Sequence, residues 1–527
     1  MTRLARILNW RQALVYTHRW LGIAGCLLFA AWFFSGVVMM YARMPELARE
    51  ERLARAPALD LSTATIDPEA AAERAGTTVA SVEVTMVQGR PAYRFGGATT
   101  RGRGGRGGVL FADTGEGFAG VTADEAREAA RQFEPQHTGE LEYDGYITEP
   151  DQWTLQARAQ MPMHRFALHD DAATRLYVSE ASGDVVLRTT RRERFLGYLG
   201  PVIHWVYFTP LRRNGPLWTQ FIIWSSLVGC LMCATGLLWG LVRFSPFARY
   251  RLKRVPARSP YVGWMKWHHW SGLVFGVVTL TWTYSGLLSM GPFNWFQPVG
   301  RSAASQRAGD GRDEPANVSL GRLKAGLAAL SGSFAPKAMS LTTVRGQRYW
   351  VADRPPVVTD ADLWRSPSLL PRAQRPSLER FYVSLIQPES GSFSAFPKET
   401  LSEVARAAMP DVPLKDEEWL EAYDGYYYDP RGADPLPVLR VRYADPQETW
   451  LYLDPRAGGV VRRSERISRL QRWLYQGLHS LDFPFLYYRR PLWDVVVIVF
   501  SLGGLTLSVT TMWAAYRRLR RGVRRIL

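Results

Sequence analysis

Four apolar blocks in this 527-residue chain, roughly 20–41, 217–242, 270–291 and 492–515, each reach bilayer-spanning length, about 20 residues for an α-helix. A soluble protein seldom needs four buried helices that long and that apolar, so the pattern reads as an integral membrane protein. The long segments between the blocks are polar and carry ordinary strand and turn patterns.

Two of the blocks are near copies. Trp264 to Gly286, WMKWHHWSGLVFGVVTLTWTYSG, follows Tyr16 to Gly36, YTHRWLGIAGCLLFAAWFFSG, at an offset of 250. His18 then meets His268, Trp20 meets Trp270, Gly22 meets Gly272, Trp32 meets Trp282, and Ser35-Gly36 meets Ser285-Gly286. Shared hydrophobicity would not keep a histidine, two tryptophans and a Ser-Gly pair in register, so an internal duplication is expected. The ends of the two halves also match. LGPVIHWVYFTPLRRNGPLWTQF (199–221) faces YQGLHSLDFPFLYYRRPLWDVV (475–496) at an offset of 275. There His204 meets His479, Phe208 meets Phe483, Pro216 meets Pro491 and Trp218 meets Trp493. Each half therefore reads as a span, an outer α+β module, an interfacial aromatic segment with one histidine, and a span opened by Pro-Leu-Trp. Proline suits the first turn of a helix, and tryptophan the interfacial belt.

A net charge of +17 could suggest nucleic acid, but its placement excludes that reading. Arg3, Arg6 and Arg11 precede the first span; Arg243, Arg249, Arg251, Lys253, Arg254, Arg258 and Lys266 lie in the short link between spans two and three. Arg517, Arg518, Arg520, Arg521, Arg524 and Arg525 follow the fourth. Basic residues in short loops beside spans stay in the cytoplasm. Both termini and the 243–266 link are thus expected inside, and the segments 42–215 and 292–490 outside. The charge is met by anionic headgroups of membrane lipids, with no nucleic-acid partner. The first span is too long for a signal-peptide core and has no convincing cleavage site, which makes it an uncleaved anchor. The three cysteines, Cys26, Cys230 and Cys233, all fall inside spans, so no disulfide framework is available to the outer segments.

The chain divides into a cytoplasmic lead and first span (1–41), a first outer module (42–198), an interfacial segment and second span (199–243), a cytoplasmic loop (244–262), a third span (263–291), a second outer module (292–470), an interfacial segment and fourth span (471–516), and a basic tail (517–527). Residues 42–60 read as a helical stalk. In the first module, 67–76 is a helix with an acidic start and a glycine stop. VASVEVTMV and PAYRFGG alternate like paired strands, and 175–190 is a hairpin around Ser182-Gly183. RGRGGRGG (101–108) lacks the preceding strand of a dinucleotide loop and reads as a surface loop. In the second module, 319–330 and 400–409 are helical, 339–353 is a hairpin, 354–376 is irregular, and 437–463 is a pair of strands. YDGY occurs at both 143–146 and 423–426.

Of eight histidines, four fall at duplicated positions. His18 and His268 lie at the inner ends of spans one and three; His204 and His479 lie just outside spans two and four. Each layer thus holds two imidazoles, one from each half. A lone interfacial histidine is ordinarily a polar anchor, but four in matched pairs suit two six-coordinate haem irons, since haem needs two axial groups. Zinc fits less well, because neither layer has a clear third and fourth ligand. His269 could replace His268, but points about 100° away, so only one of them can face a given haem. Gly22, Gly25, Gly272 and Gly276 would admit either a flat macrocycle or a neighbouring helix. Arg212, Arg213, Arg489 and Arg490 could meet haem propionates or lipid headgroups. His137, His164 and His169 read as surface histidines of the first module.

HRWLG at 18–22, KWHHWSG at 266–272, the segments around His204 and His479, and the DGYY…VLRVRYADPQETWLYLDP…GGVV pattern at 425–461 resemble the PepSY-associated transmembrane family. The resemblance spans 12–517 and is looser in the first outer module. It implies an α-helical integral membrane protein of four transmembrane helices from an internal duplication, with two periplasmic α+β PepSY-like modules, in the bacterial inner membrane. Some members resemble di-haem ferric-siderophore reductases. For this chain that implies two b-type haems, and electron transfer to a periplasmic ferric chelate. Some relatives carry a fused flavin reductase domain and none is seen here, so the donor would be a quinol or a separate cytoplasmic reductase. The competing reading is a cofactor-free PepSY membrane protein that binds a partner or regulates a peptidase.

Overall fold

The computed structural model describes residues 10–96, 108–135, 139, 141–252, 255–294, 317–355, 378–429 and 434–526. Arg3, Arg6, the RGRGGRGG loop, His137, Lys253, Arg254 and the 356–377 stretch fall outside them. The chain forms two compact units: residues 1–44, 195–297 and 467–527 make one, and residues 45–194 and 298–466 make the other.

The first unit is helical. Four helices are long and apolar enough to cross a membrane: Trp10–Met39, Gly215–Arg243, Trp264–Ser289 and Leu492–Arg518. The first span packs on the second and fourth, and the third packs on the same two. Spans one and three therefore face each other diagonally across the bundle. Glycines set how closely the helices approach. A Cβ on Gly229 would lie 2.9 Å from Phe29, and one on Gly504 would lie 2.3 Å from Phe33. The link between spans two and three, expected as a plain loop, holds a small hairpin of Tyr250–Leu252 and Val255–Ala257.

In the second unit the two long segments between spans come together in one compact body with a sheet in common. Its strands from the first half are β1 (Val82–Val87), β2 (Arg90–Phe95), β3 (Val109–Phe111), β4 (Leu141–Ile147), β5 (Met163–Leu168), β6 (Arg175–Ser179) and β7 (Val185–Thr189). After the link hairpin, β8 and β9, the second half supplies β10 (Ala338–Val344), β11 (Gln347–Arg354), β12 (Glu379–Ser384), β13 (Ser392–Phe393), β14 (Leu414–Leu420), β15 (Val438–Tyr443), β16 (Trp450–Asp454) and β17 (Gly459–Ser464). One antiparallel sheet runs β13-β12-β11-β10-β1-β2-β3, so it draws on both halves. β1 and β10 pair directly, with Val84 opposite Met339. Alone, each half would leave that strand as an open edge, a site for unwanted pairing; joined, each covers the other. Val84, Tyr93, Met339, Trp350, Leu323 and Leu330 from both halves share one buried core.

Each half also keeps a four-stranded sheet of its own, β4-β5-β6-β7 and β14-β15-β16-β17. The first is backed by helix Ala123–Phe133, opened by a reciprocal Thr122–Glu125 capping box. The second is backed by helix Lys398–Ala408 through Leu401, Val404 and Ala405. The stretch 437–463 is three strands rather than a pair, because Asp445 turns the chain by accepting from Thr449 N and Oγ1. The stalk at 42–60 is helical only over Arg49–Arg55. The YDGY repeat has two conformations. At 143–146 it lies in bulged strand β4, and at 423–426 it is a loop in which Asp424 caps the backbone of Tyr426 and Tyr427.

Candidate functional site

Two pairs of histidines converge, one from the diagonally opposed spans one and three and one from the segments that lead into spans two and four. The His18 and His268 rings lie 6.1 Å apart, centroid to centroid, at an interplanar angle of 41°. The His204 and His479 rings are also 6.1 Å apart, at 71°. The chain reaches each outer histidine through a π-helical turn, Tyr198–Val202 before His204 and Trp473–Gly477 before His479. Such turns re-aim side chains and recur at functional positions. The tryptophan of each Pro-Leu-Trp motif then fastens the residue after the histidine. Trp218 Nε1 donates to Trp205 O at 2.8 Å, and Trp493 Nε1 donates to Ser480 O at 2.9 Å. These tryptophans, expected as interfacial anchors, thus also hold the outer pair.

Hydrogen bonds fix the tautomer of all four rings. His18 Nδ1 lies 3.0 Å from Met232 O, which can only accept, so Nδ1 carries the proton. Ser35 Oγ donates to Ala31 O at 2.6 Å and therefore accepts from His204 Nδ1 at 3.1 Å. Ser285 Oγ donates to Trp282 O at 3.0 Å and accepts from His479 Nδ1 at 3.1 Å, while Trp282 O itself lies 3.3 Å from that nitrogen. Thr510 Oγ1 donates to Thr506 O at 2.7 Å and accepts from His268 Nδ1 at 3.0 Å, with Thr511 Oγ1 at 3.4 Å. Every one of these bonds ends on Nδ1, which leaves Nε2 with its lone pair in each ring. Outside the spans, burial pushes the His204 imidazole down to about 3, with His479 adding to it, and burial likewise lowers His479. Burial thus favours the neutral form of both rings, the form a metal ligand requires.

The spacing suits one ion between each pair. Imidazole nitrogens bind metals at about 2.0–2.1 Å, so two rings sharing an ion sit roughly 6 Å apart between centroids. Each of the four rings is half-buried rather than sealed, although it sits within the bundle. Among the described residues, no group of three or more His, Cys, Asp and Glu is gathered as a metal site. The donor set is therefore two nitrogens per layer, which fits a haem with its own four equatorial donors.

The remaining candidates lie elsewhere. His269 is buried with both nitrogens engaged, Nδ1 to Ser259 Oγ at 2.8 Å and Nε2 to Gly240 O at 2.9 Å. It fastens the link between spans two and three to both of those helices. Arg212 stacks on Tyr207 and Trp218 at 4.9 and 4.7 Å. Arg490 covers Trp493 at 4.7 Å and pairs with buried Asp494, which also accepts from Tyr41 Oη at 3.0 Å. Arg213 and Arg489 are exposed. Gly22, Gly25, Gly272 and Gly276 face Thr511, Phe29 and Met232, Leu507, and Leu237 on their own or neighbouring helices. His164 is buried between Tyr143 Oη and Val121 O, both at 3.2 Å, and exposed His169 meets Glu142 at 2.8 Å. The cysteines are free thiols. Buried arginines escaped the sequence reading: Arg469, and Arg472, which lies 4.0 Å over the Trp473 ring and donates to Asp482 O at 2.7 Å. The missed signal was their position just upstream of His479.

A family model described as PepSY-associated TM region matches residues 15–357, well over half of the chain. The chain belongs to this family. Its four apolar helices and the match together make this PepSY-associated TM protein a membrane protein in contact with lipid. No curated protein matches the sequence. The family match includes His18, His204 and His268 and ends before His479.

Proposed function

We propose that this PepSY-associated TM protein carries electrons across the bacterial inner membrane through two b-type haems, one held by His18 and His268 and one by His204 and His479. The observation that carries the reading is the set of four imidazoles in two facing pairs, each with its proton fixed on Nδ1. Each Nε2 keeps its lone pair, and the 6.1 Å between ring centroids in each pair leaves room for one ion. A haem held by these histidines would supply a one-electron iron couple. The chain's own residues do the rest. Ser35, Ser285, Thr510 and Met232 hold the ring protons, Trp218 and Trp493 hold the outer segments, and the apolar bundle keeps water away.

From His18 to Ser35, and from His268 to Ser285, the helices rise about 25 Å, close to the roughly 30 Å hydrocarbon thickness. One pair near each face divides that distance. With the termini and the 244–262 link cytoplasmic, the shared-sheet unit is periplasmic. The acceptor is then a ferric chelate, as for a ferric-siderophore reductase, and the donor a quinol or a separate cytoplasmic reductase. The matched π-turns, Trp–carbonyl bonds and Ser–His bonds support descent from a duplicated half.

Absorbance of the detergent-purified protein, with and without dithionite, tests this. Two haems per chain are expected, with reduced bands of six-coordinate b-type haem and loss of one haem in each single histidine variant. Protein without a Soret band, or with one unaffected by replacing all four histidines, would remove the reading.

A further inference from the structure

We propose that Met232, Phe33 and Trp282 form the electronic link between the inner and outer imidazole pairs, an inference that rests on reading both pairs as haem ligands. Between the layers lies one cluster, with Phe29, Phe33 and Cys233 buried and Trp32, Met232, Leu280, Trp282 and Leu505 packed against them. Three members of this cluster also touch the histidines, Trp32 doing so through its backbone at His204. Met232 O accepts from inner His18 at 3.0 Å, and Trp282 O accepts from outer His479 at 3.3 Å. Inside the cluster the Phe33 and Trp282 rings are 6.0 Å apart, and Phe29 and Phe33 are 6.4 Å apart. A route from His18 to His479 therefore runs through covalent bonds, hydrogen bonds and packed rings.

The aromatic filling of this cluster does not follow the repeat, which packing alone does not require. The aromatic residues Phe29, Phe33 and Phe500 stand where the other half has Thr279, Thr283 and Ser225. Phe33 reaches its place only because position 504 is glycine, where a Cβ would come within 2.3 Å of the ring. Trp282 also contacts Phe500 at 6.5 Å. Its Nε1 is buried and has no hydrogen-bond partner among the described residues. A buried donor without an acceptor is a cost that phenylalanine would avoid while filling much of the same space, so packing does not account for an indole there. In the step itself, one electron leaves the reduced iron of one layer and arrives at the oxidised iron of the other. No bond forms or breaks, and the Nδ1 protons stay on their acceptors. Tunnelling is faster through bonded and closely packed atoms than across a gap.

The test uses full-length protein in liposomes mixed rapidly with dithionite, which reaches one face, while the reduced haem bands are followed without any acceptor. Wild type should show two phases, the slower reporting the far layer. Trp282→Leu and Phe33→Leu should lose that phase's wild-type rate. Trp282→Phe should fall between wild type and Trp282→Leu, and Phe275→Leu, which removes an aromatic ring outside the cluster, should keep the wild-type rate. Oxidised spectra and midpoint potentials should be unchanged throughout. Phe33→Leu serves as the deciding variant if Trp282→Leu does not accumulate. Wild-type second phases in both leucine variants overturn the link and leave the haem reading standing; wild-type protein with no haem bands overturns both.

Discussion

Gly236 and His18 are so close that a methyl group on Gly236 would come within 2.3 Å of the imidazole Cε1 and 2.6 Å of Nδ1. At the matched position in the other half stands Thr511, which instead reaches toward His268 Nδ1 at 3.4 Å. The two inner rings are thus seated differently, one on bare backbone and one on hydroxyls.

This contact predicts a selective loss. Gly236→Ala must displace His18 from Met232 O, so inner-site haem should be lost and outer-site haem retained, halving the haem content per chain. Overpacking of this kind costs about 1–3 kcal/mol, so the protein should still accumulate. Gly36→Ala and Gly286→Ala are the controls, because their added methyls would meet His204 and His479 Cε1 at 3.6 Å, an ordinary contact. Equal haem loss in all three variants would count against the contact as the cause.

The serine acceptors predict a matched pair of effects. Ser285→Ala removes the hydroxyl that His479 Nδ1 meets at 3.1 Å and leaves Trp282 O, and Ser35→Ala removes the hydroxyl that His204 Nδ1 meets at 3.1 Å and leaves the Trp32 backbone. Partners behind a metal-binding histidine are typically worth about 10–100-fold in affinity. Outer-site haem should therefore dissociate faster in both variants. Haem transfer to excess apomyoglobin measures this, and wild-type rates in both variants would contradict the role of the serines.

His268 and His269 were a choice of two in the sequence, and the structure gives them different roles. The repeat alignment favoured His268 because His269 has no counterpart, and His268 is the ring opposite His18. What the sequence could not supply was where the His269 nitrogens go, since Ser259 lies on a link whose path no periodicity reveals. The spans, being long apolar runs, were legible almost to their ends. The shared sheet was not, because strand alternation shows which face of β1 is buried but not that its neighbour is β10, some 250 residues away. Gly236 stayed invisible for a related reason: its meaning lies in an imidazole from another helix, whereas its own surroundings read as any small residue in a span.

The division of roles between the adjacent histidines is itself testable. His269→Ala should leave haem content and spectra unchanged. It strands Ser259 Oγ and Gly240 O, which lose partners at 2.8 and 2.9 Å. A deleted buried partner costs about 1–3 kcal/mol, so a lower Tm in detergent is expected. His268→Ala should instead remove inner-site haem. Spectral loss on replacing His269 would reverse the assignment.

The shared sheet makes a prediction about cooperativity. Met339 belongs to the second half, is fully buried, and pairs across the junction with Val84 of the first. Its core neighbours include Val84, Tyr93 and Phe95 from the first half together with Leu323 and Trp350 from the second. Met339→Ala should cost about 2–5 kcal/mol. If both halves stand on one core, that loss should appear as faster hydrogen exchange in β1 and β2 as well as in β10 and β11. Two modules folding independently would confine the change to the second half, with β1 and β2 protected as before. Exchange measured peptide by peptide on the full-length protein separates these outcomes. Protection lost together on both sides of the β1–β10 junction would mean that neither half of the outer unit is stable without the other.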